Sequence, residues 1–208
     1  MSLGWTLNLF LLDECTRHDS SCVIECIART LEDVKRISET TGRCMPSTVF
    51  VCSDNTPREA KKQYMLSYLV ALTSKNLCRC TGLLNLRKSH SHDQVDQLWG
   101  ILARRISSCD SLKSPQSVIS TLESELARPG LKSWIGLQTA TSVCKIDSVR
   151  NWKSHFAPQQ VSISGGLKED TTANHCFLMM QRRGSLAKKH DVYKVCFYDN
   201  VENLKENR

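Results

Sequence analysis

Three features of the apolar patterning predict an α/β fold. Short apolar runs of strand length occur at residues 5–12, 48–52 and 78–86. The last two are each followed by a polar corner, and each corner leads into a segment with apolar residues at helical spacing. The run at 48–52 and the run at 78–86 are separated by one such helix, so a crossover makes them parallel neighbours.

Taken in order, residues 5–12 read as a strand, 13–20 as a polar turn, and 21–27 (Ser-Cys-Val-Ile-Glu-Cys-Ile) as a returning strand that completes a hairpin. Thr30 can cap a helix reaching about residue 40, with Leu31, Val34 and Ile37 inward and Gly42 ending it. Pro46 opens the strand at 48–52, whose nearly continuous apolar character predicts a sheet interior. Thr56 can cap a helix with Pro57 in its first position, continuing to about residue 75 with Tyr64, Leu66, Tyr68, Leu69 and Leu72 in the core. The helix at 94–107 carries Leu98, Ile101, Leu102 and Ile106, and Trp99 is expected in the core with them. Residues 117–126 read as helix, ended by Pro129-Gly130; 133–154 follow no single period; 164–172 read as loop. Residues 176–182 and 192–198 read as two strands joined by a basic turn. The sheet core is assigned to residues 1–109 and an α+β C-terminal extension to 110–208.

Composition narrows the function classes. The chain has 208 residues, 40% of them hydrophobic, which is enough for a core, and no tract has the composition of a disordered segment. The apolar start lacks a basic region and a small-residue cleavage site, and is too short to cross a bilayer. No transmembrane segment is predicted. Eleven cysteines are an odd number with no Cys-x-x-Cys pair, and Cys78-Arg79-Cys80 is too close for a zinc knuckle. Free thiols in a reducing compartment, nucleus or cytoplasm, are expected. The net charge of +7 fits a phosphate-backbone partner, or a solvated surface with a slight cationic excess.

The densest chemistry lies in Ser89-His90-Ser91-His92-Asp93-Gln94-Val95-Asp96-Gln97. Asp93 and Asp96 share one face of a helix start, where they suit either a metal or the helix dipole. His90 and His92 alternate across an extended corner, which argues against a two-histidine zinc site. A second corner, Ser53-Asp54-Asn55, closes the strand at 48–52, where open α/β sheets bind ligands; its bland role is to make the turn and cap the helix. Lys61, Lys62 and Gln63 follow on that helix, as phosphate contacts or a solvated face, and Glu25 can face the same pocket or simply be an exposed strand glutamate. No Gly-rich phosphate loop, Gly-x-Ser-x-Gly elbow or His-Glu-x-x-His motif occurs.

The pairing of Ser53-Asp54-Asn55-x-x-x-Glu59-x-Lys61-x-Gln63 with Ser89-His90-Ser91-His92-Asp93-x-x-Asp96-Gln97 resembles an uncharacterised eukaryotic family, of protist and dinoflagellate type. That family is similar to the RNase H-like integrase domains of transposases. The resemblance covers about residues 5–106 and weakens beyond, near Trp152 and His175. It implies an RNase H-like mixed sheet and a Mg²⁺- or Mn²⁺-dependent nuclease or polynucleotidyl transferase ancestry. Asp54 and Asp96 would then be the catalytic carboxylates, with His90 and Asp93 as further metal-site residues and Lys61, Lys62 and Gln63 on nucleic acid.

Two departures bear on activity. Ser89 stands where that family usually has glycine. In register, residues 5–12 fall on the family's second strand, so the first strand and its carboxylate are expected to be missing and catalysis impaired. A second copy or a partner chain would complete the sheet. The alternatives to a metal-dependent enzyme are a non-catalytic nucleic-acid binder, an interaction or structural module, and a non-functional fragment.

Overall fold

The computed structural model describes residues 6–13, 16–53, 63–85, 94–109, 112–136, 140–157, 176–181 and 190–195. They form a mixed α/β arrangement in the order β1 (Thr6–Leu12), α1 (Ser20–Thr40), β2 (Thr48–Ser53), α2 (Gln63–Ser74), β3 (Cys80–Asn85), α3 (Gln94–Ser107), α4 (Pro115–Leu126), α5 (Pro129–Ile135), β4 (Ala140–Ile146), α6 (Trp152–Phe156), β5 (Cys176–Gln181) and β6 (His190–Val195). The expected α/β class holds. None of the described helices is long and apolar enough to cross a membrane.

The first departure from the sequence reading is α1. The segment 21–27 is the first two turns of a 21-residue helix and forms no hairpin with β1. Its β-branched content suggested a strand, but the buried positions Ser21, Ile24, Glu25 and Ala28 follow helical spacing and continue the phase of the predicted helix. Asp19 is the N-cap, its carboxylate accepting from the Ser21 amide at 2.8 Å. Thr30 is interior, its hydroxyl donating to the Cys26 carbonyl at 2.9 Å. At the other end Gly42 takes a left-handed φ of 64°, and the Arg43 amide reaches the Ser38 carbonyl at 2.8 Å, a Schellman-type closure.

Two sheets result. β1 pairs in parallel with β4, Phe10 opposite Cys144. The second sheet has the order β2-β3-β5-β6, with β2 and β3 parallel as expected and the β3-β5 and β5-β6 pairs antiparallel. Both sheets therefore join strands from before and after residue 109. Among the described strands β2 is an edge rather than a sheet interior, and its residues alternate between exposed and half-buried. Pro129 opens α5 instead of merely ending α4, and the unassigned stretch 133–154 contains the end of α5, then β4.

Each sheet has its own core. Ile24 and Ala28 of α1, Leu66 and Leu69 of α2, Leu83 of β3 and Phe177 of β5 form one, closed by Phe156 of α6. Leu98 and Leu102 of α3, Leu122 and Leu126 of α4 and Leu131 of α5 form the other, with Leu7, Leu9 and Val143 packed against it. The hydroxyl of Thr81 ties β3 to α2 by donating to the Leu69 carbonyl at 3.0 Å.

On the face of the larger sheet that carries Phe50 there is one tight contact. Gly82 lies opposite Phe50 in register, and a Cβ added there would sit 2.5 Å from the Phe50 ring and 3.3 Å from the Phe177 carbonyl oxygen. Phe50 is 53% exposed, so its ring shields the bare strand backbone at Gly82 while facing solvent on its other side. Gly82→Ala is expected to destabilise the fold by about 1–2 kcal/mol, as overpacking does. Most of that loss should vanish in a Phe50→Ala background, as measured by urea midpoints in a double-mutant cycle. Equal losses in both backgrounds would mean that the Phe177 carbonyl, not the ring, is the obstacle.

Candidate functional site

The strands that precede the two polar corners end side by side. β2 and β3 are parallel and end together, with Ser53 paired to Asn85. Asp54 follows Ser53 in the chain, and residue 86 follows Asn85. The carboxyl ends of neighbouring parallel strands are where α/β sheets present ligand-binding groups, because helix N-termini converge there. Asp54, Lys61, Lys62, His90 and Asp93, and also His175, lie outside the described residues.

Asp96 is described. It occupies the first turn of α3 and is exposed, so its charge complements the helix dipole while its oxygens face solvent. Gln63 is the first described residue of α2; it is half-buried, and its carbonyl accepts from the Ser67 hydroxyl at 2.8 Å. Trp99 corrects its expected core position. It is 56% exposed, at the margin of the face on which Leu98 and Leu102 are buried. Among the described residues no three histidine, cysteine or acidic side chains gather closely enough to hold a metal ion. One carboxylate, that of Asp96, does not by itself hold a divalent cation, which takes six or more oxygens.

Glu25 has a structural role. It is a helix residue, 1% exposed, and both its oxygens are occupied. Arg29 Nε donates to Oε1 at 2.9 Å; Arg150 donates to Oε2 through Nε at 2.9 Å and to Oε1 through a terminal nitrogen at 3.1 Å; Trp152 Nε1 donates to Oε2 at 2.9 Å. Burial pushes its carboxyl upward, but the hydrogen bonds from Arg150, Arg29 and Trp152 prevail and hold it at about 2. The Arg150 guanidinium also lies 4.7 Å over the Trp152 ring, and Trp152 stacks on Phe156 and meets Tyr68 edge-on. The cluster fastens α6 to α1 and leaves no lone pair pointing at a ligand.

A second buried carboxylate escaped the sequence reading. Glu125 of α4 is 4% exposed and lies between Arg128, 2.6 Å away, and Arg105 of α3, 3.7 Å away. A basic pair at the end of α3 was visible in the sequence; its anionic partner twenty residues on was not. Four thiols are unsuited to nucleophilic work: burial pushes Cys26 up to about 12 and raises Cys78, Cys80 and Cys144. A cleft of about 250 Å³ opens between α4, α5 and β4, lined by Glu123, Leu126, Lys132, Ile135 and Val143.

A model of a family described as a domain of unknown function, DUF7869, matches residues 4–194. No curated protein and no solved structure matches the chain.

Proposed function

The chain belongs to the DUF7869 family, and we propose that it is a domain of transposase or integrase descent, RNase H-like in origin, that binds a divalent cation and nucleic acid at the carboxyl ends of β2 and β3. The observation that supports this reading is the register of Ser53 against Asn85, by which the strands that precede the two polar segments end side by side. Asp54 and Asp96, with His90 and Asp93, are the proposed ligands for Mg²⁺ or Mn²⁺; these are hard oxygen donors with one imidazole, a set that suits either ion. Lys61, Lys62 and Gln63 are the proposed polynucleotide contacts, and the net charge of +7 supports a polyanionic partner. No reaction step is assigned to these residues.

Calorimetric titration with Mn²⁺ tests the metal half. Binding is expected in the wild type and is lost in Asp54→Ala/Asp96→Ala, with the circular dichroism spectrum unchanged. Retained Mn²⁺ binding in the double variant, or none in the wild type, sinks the metal site. For the polynucleotide half, affinity should fall steeply with salt. A protein that takes neither cation nor polynucleotide is an interaction or structural module.

A further inference from the structure

We propose that Ser107, the last residue of α3, is a phosphorylation site for an arginine-directed serine kinase, and that its phosphate loosens the last turn of that helix. The inference goes beyond the reading above and stands without it. The chain has two Arg-Arg pairs, in Arg104-Arg105-Ile106-Ser107 and Arg182-Arg183-Gly184-Ser185, and in each a serine stands two places after the second arginine. Two guanidinium groups at a fixed interval before a hydroxyl form a charge pattern by which a kinase with carboxylate-lined pockets selects its substrate. The second of these segments lies outside the described residues, so the assignment rests on Ser107 alone.

Arg104, Arg105, Ser107 and Ser108 are all exposed. A kinase cleft takes its substrate extended, so the last turn of α3 has to unwind, and helix ends are where unwinding is easiest. The turn is closed by the Ser108 amide on the Arg104 carbonyl and the Cys109 amide on the Ile106 carbonyl, each at 3.1 Å. Leu98 and Leu102, 6% and 0% exposed, lie in earlier turns and keep the rest of the helix on its core, while Ile106 is only partly buried. The side chain of Arg105 lies 3.7 Å from the buried carboxylate of Glu125, beyond hydrogen-bond reach. Glu125 keeps Arg128 at 2.6 Å when Arg105 leaves, so release of the turn strands no buried charge.

In the transfer step Ser107 Oγ attacks the γ-phosphorus of ATP. The new O–P bond forms as the bond to the β,γ-bridging oxygen breaks, ADP departs, and the hydroxyl proton passes to the kinase's carboxylate base. The phosphate then sits among the last carbonyls of α3, at the negative end of the helix dipole, and the repulsion favours the unwound turn. Arg104 lies three residues earlier, and its Nε donates to the Gly100 carbonyl at 3.1 Å. A cation placed before an anion in such a pair runs against the dipole and recovers little of the loss.

The test uses the full chain, MgATP and the catalytic subunit of a cyclic-AMP-dependent protein kinase, with the modified residues located by mass spectrometry of peptides. Phosphate is expected on Ser107 and not at that position in Ser107→Ala. Arg104→Ala, which breaks no ion pair among the described residues, should lower kcat/KM for Ser107 about tenfold, the worth of one charged hydrogen bond. Arg104→Lys should recover part of it, with circular dichroism unchanged in both variants. After phosphorylation the amides of Ser108 and Cys109 should exchange faster with solvent deuterium, while those of α4 keep their protection. No phosphate on Ser107, phosphate on Ser108 or Ser185 alone, or an unchanged rate in Arg104→Ala overturns the site. Unchanged exchange at Ser108 and Cys109 overturns the loosening.

Discussion

Glu25→Ala is expected to lower stability by about 2–3 kcal/mol, read as a shift of the urea midpoint followed by circular dichroism. Breaking a fully buried ion pair by removing one partner costs ~3–5 kcal/mol, because the other charge stays behind without an acceptor. Here the orphaned groups are Arg29, Arg150 and the Trp152 indole N–H, and the two arginines are 34% and 50% exposed. They can turn to water, which brings the loss below that range. The carboxylate also joins elements far apart in sequence, since Arg150 and Trp152 bracket the start of α6. Loss of the clasp should therefore free α6 first, and Trp152 fluorescence should change at lower urea than the helical signal. A midpoint within about 0.5 kcal/mol of the wild type, the scatter of ordinary surface substitutions, would mean that the arginines rehydrate without cost.

The same residue sets an acid limit. Its folded carboxyl is held at about 2 against an ordinary value of 4.5, so the native state binds the proton less readily than the unfolded chain. The stabilisation is present in full above 4.5 and drains away as pH falls from there towards 2. Stability measured between pH 5 and 2.5 should decline in the wild type and decline less in Glu25→Gln, which has no proton to take up at that position. Parallel pH profiles for the two proteins would place the acid sensitivity elsewhere.

The strands and helices that proved legible are those whose apolar period differs sharply from their neighbours. The runs now seen as β1, β2 and β3 alternate or stay apolar over a few residues, and α3 repeats Leu98, Ile101 and Leu102 at helical spacing. The crossover between β2 and β3 also fixed their parallel pairing in advance. The first turns of α1 were misread because Cys-Val-Ile-Glu-Cys-Ile has strand composition over a helical burial pattern. Trp99 stands three residues before Leu102 and seven before Ile106, close to the core face of α3, so helical phase alone could not disclose that it is 56% exposed. The pairing of β1 with β4 and the bond between Glu25 and Arg150 join residues more than a hundred positions apart. Neither leaves a local signature, so no periodicity could have disclosed them.

Leu102→Ala is expected to cost about 3–4 kcal/mol, within the range for deleting a fully enclosed leucine, and to do so in one part of the molecule. Leu102 is 0% exposed and packs with Leu98, Leu122, Leu126 and Leu131, none of which belongs to the core around Leu66 and Leu69. If each core opens as its own unit, hydrogen exchange should accelerate in α3, α4, β1 and β4 while amides of α2 and β3 keep their protection. Leu69→Ala, at an equally enclosed position, should give the mirror image. Ligand affinity adds a functional reading, because α3 carries Asp96 and α2 carries Gln63. Loosening α3 through Leu102 should weaken cation binding through Asp96, whereas loosening α2 through Leu69 should weaken polynucleotide binding through Gln63, under conditions where both variants remain folded. The connection that opposes this separation is the contact of β1 with α1, where the two cores come together. If both substitutions remove protection from both sheets equally, that contact couples the cores into one cooperative unit, and α3 can loosen only when the whole fold does.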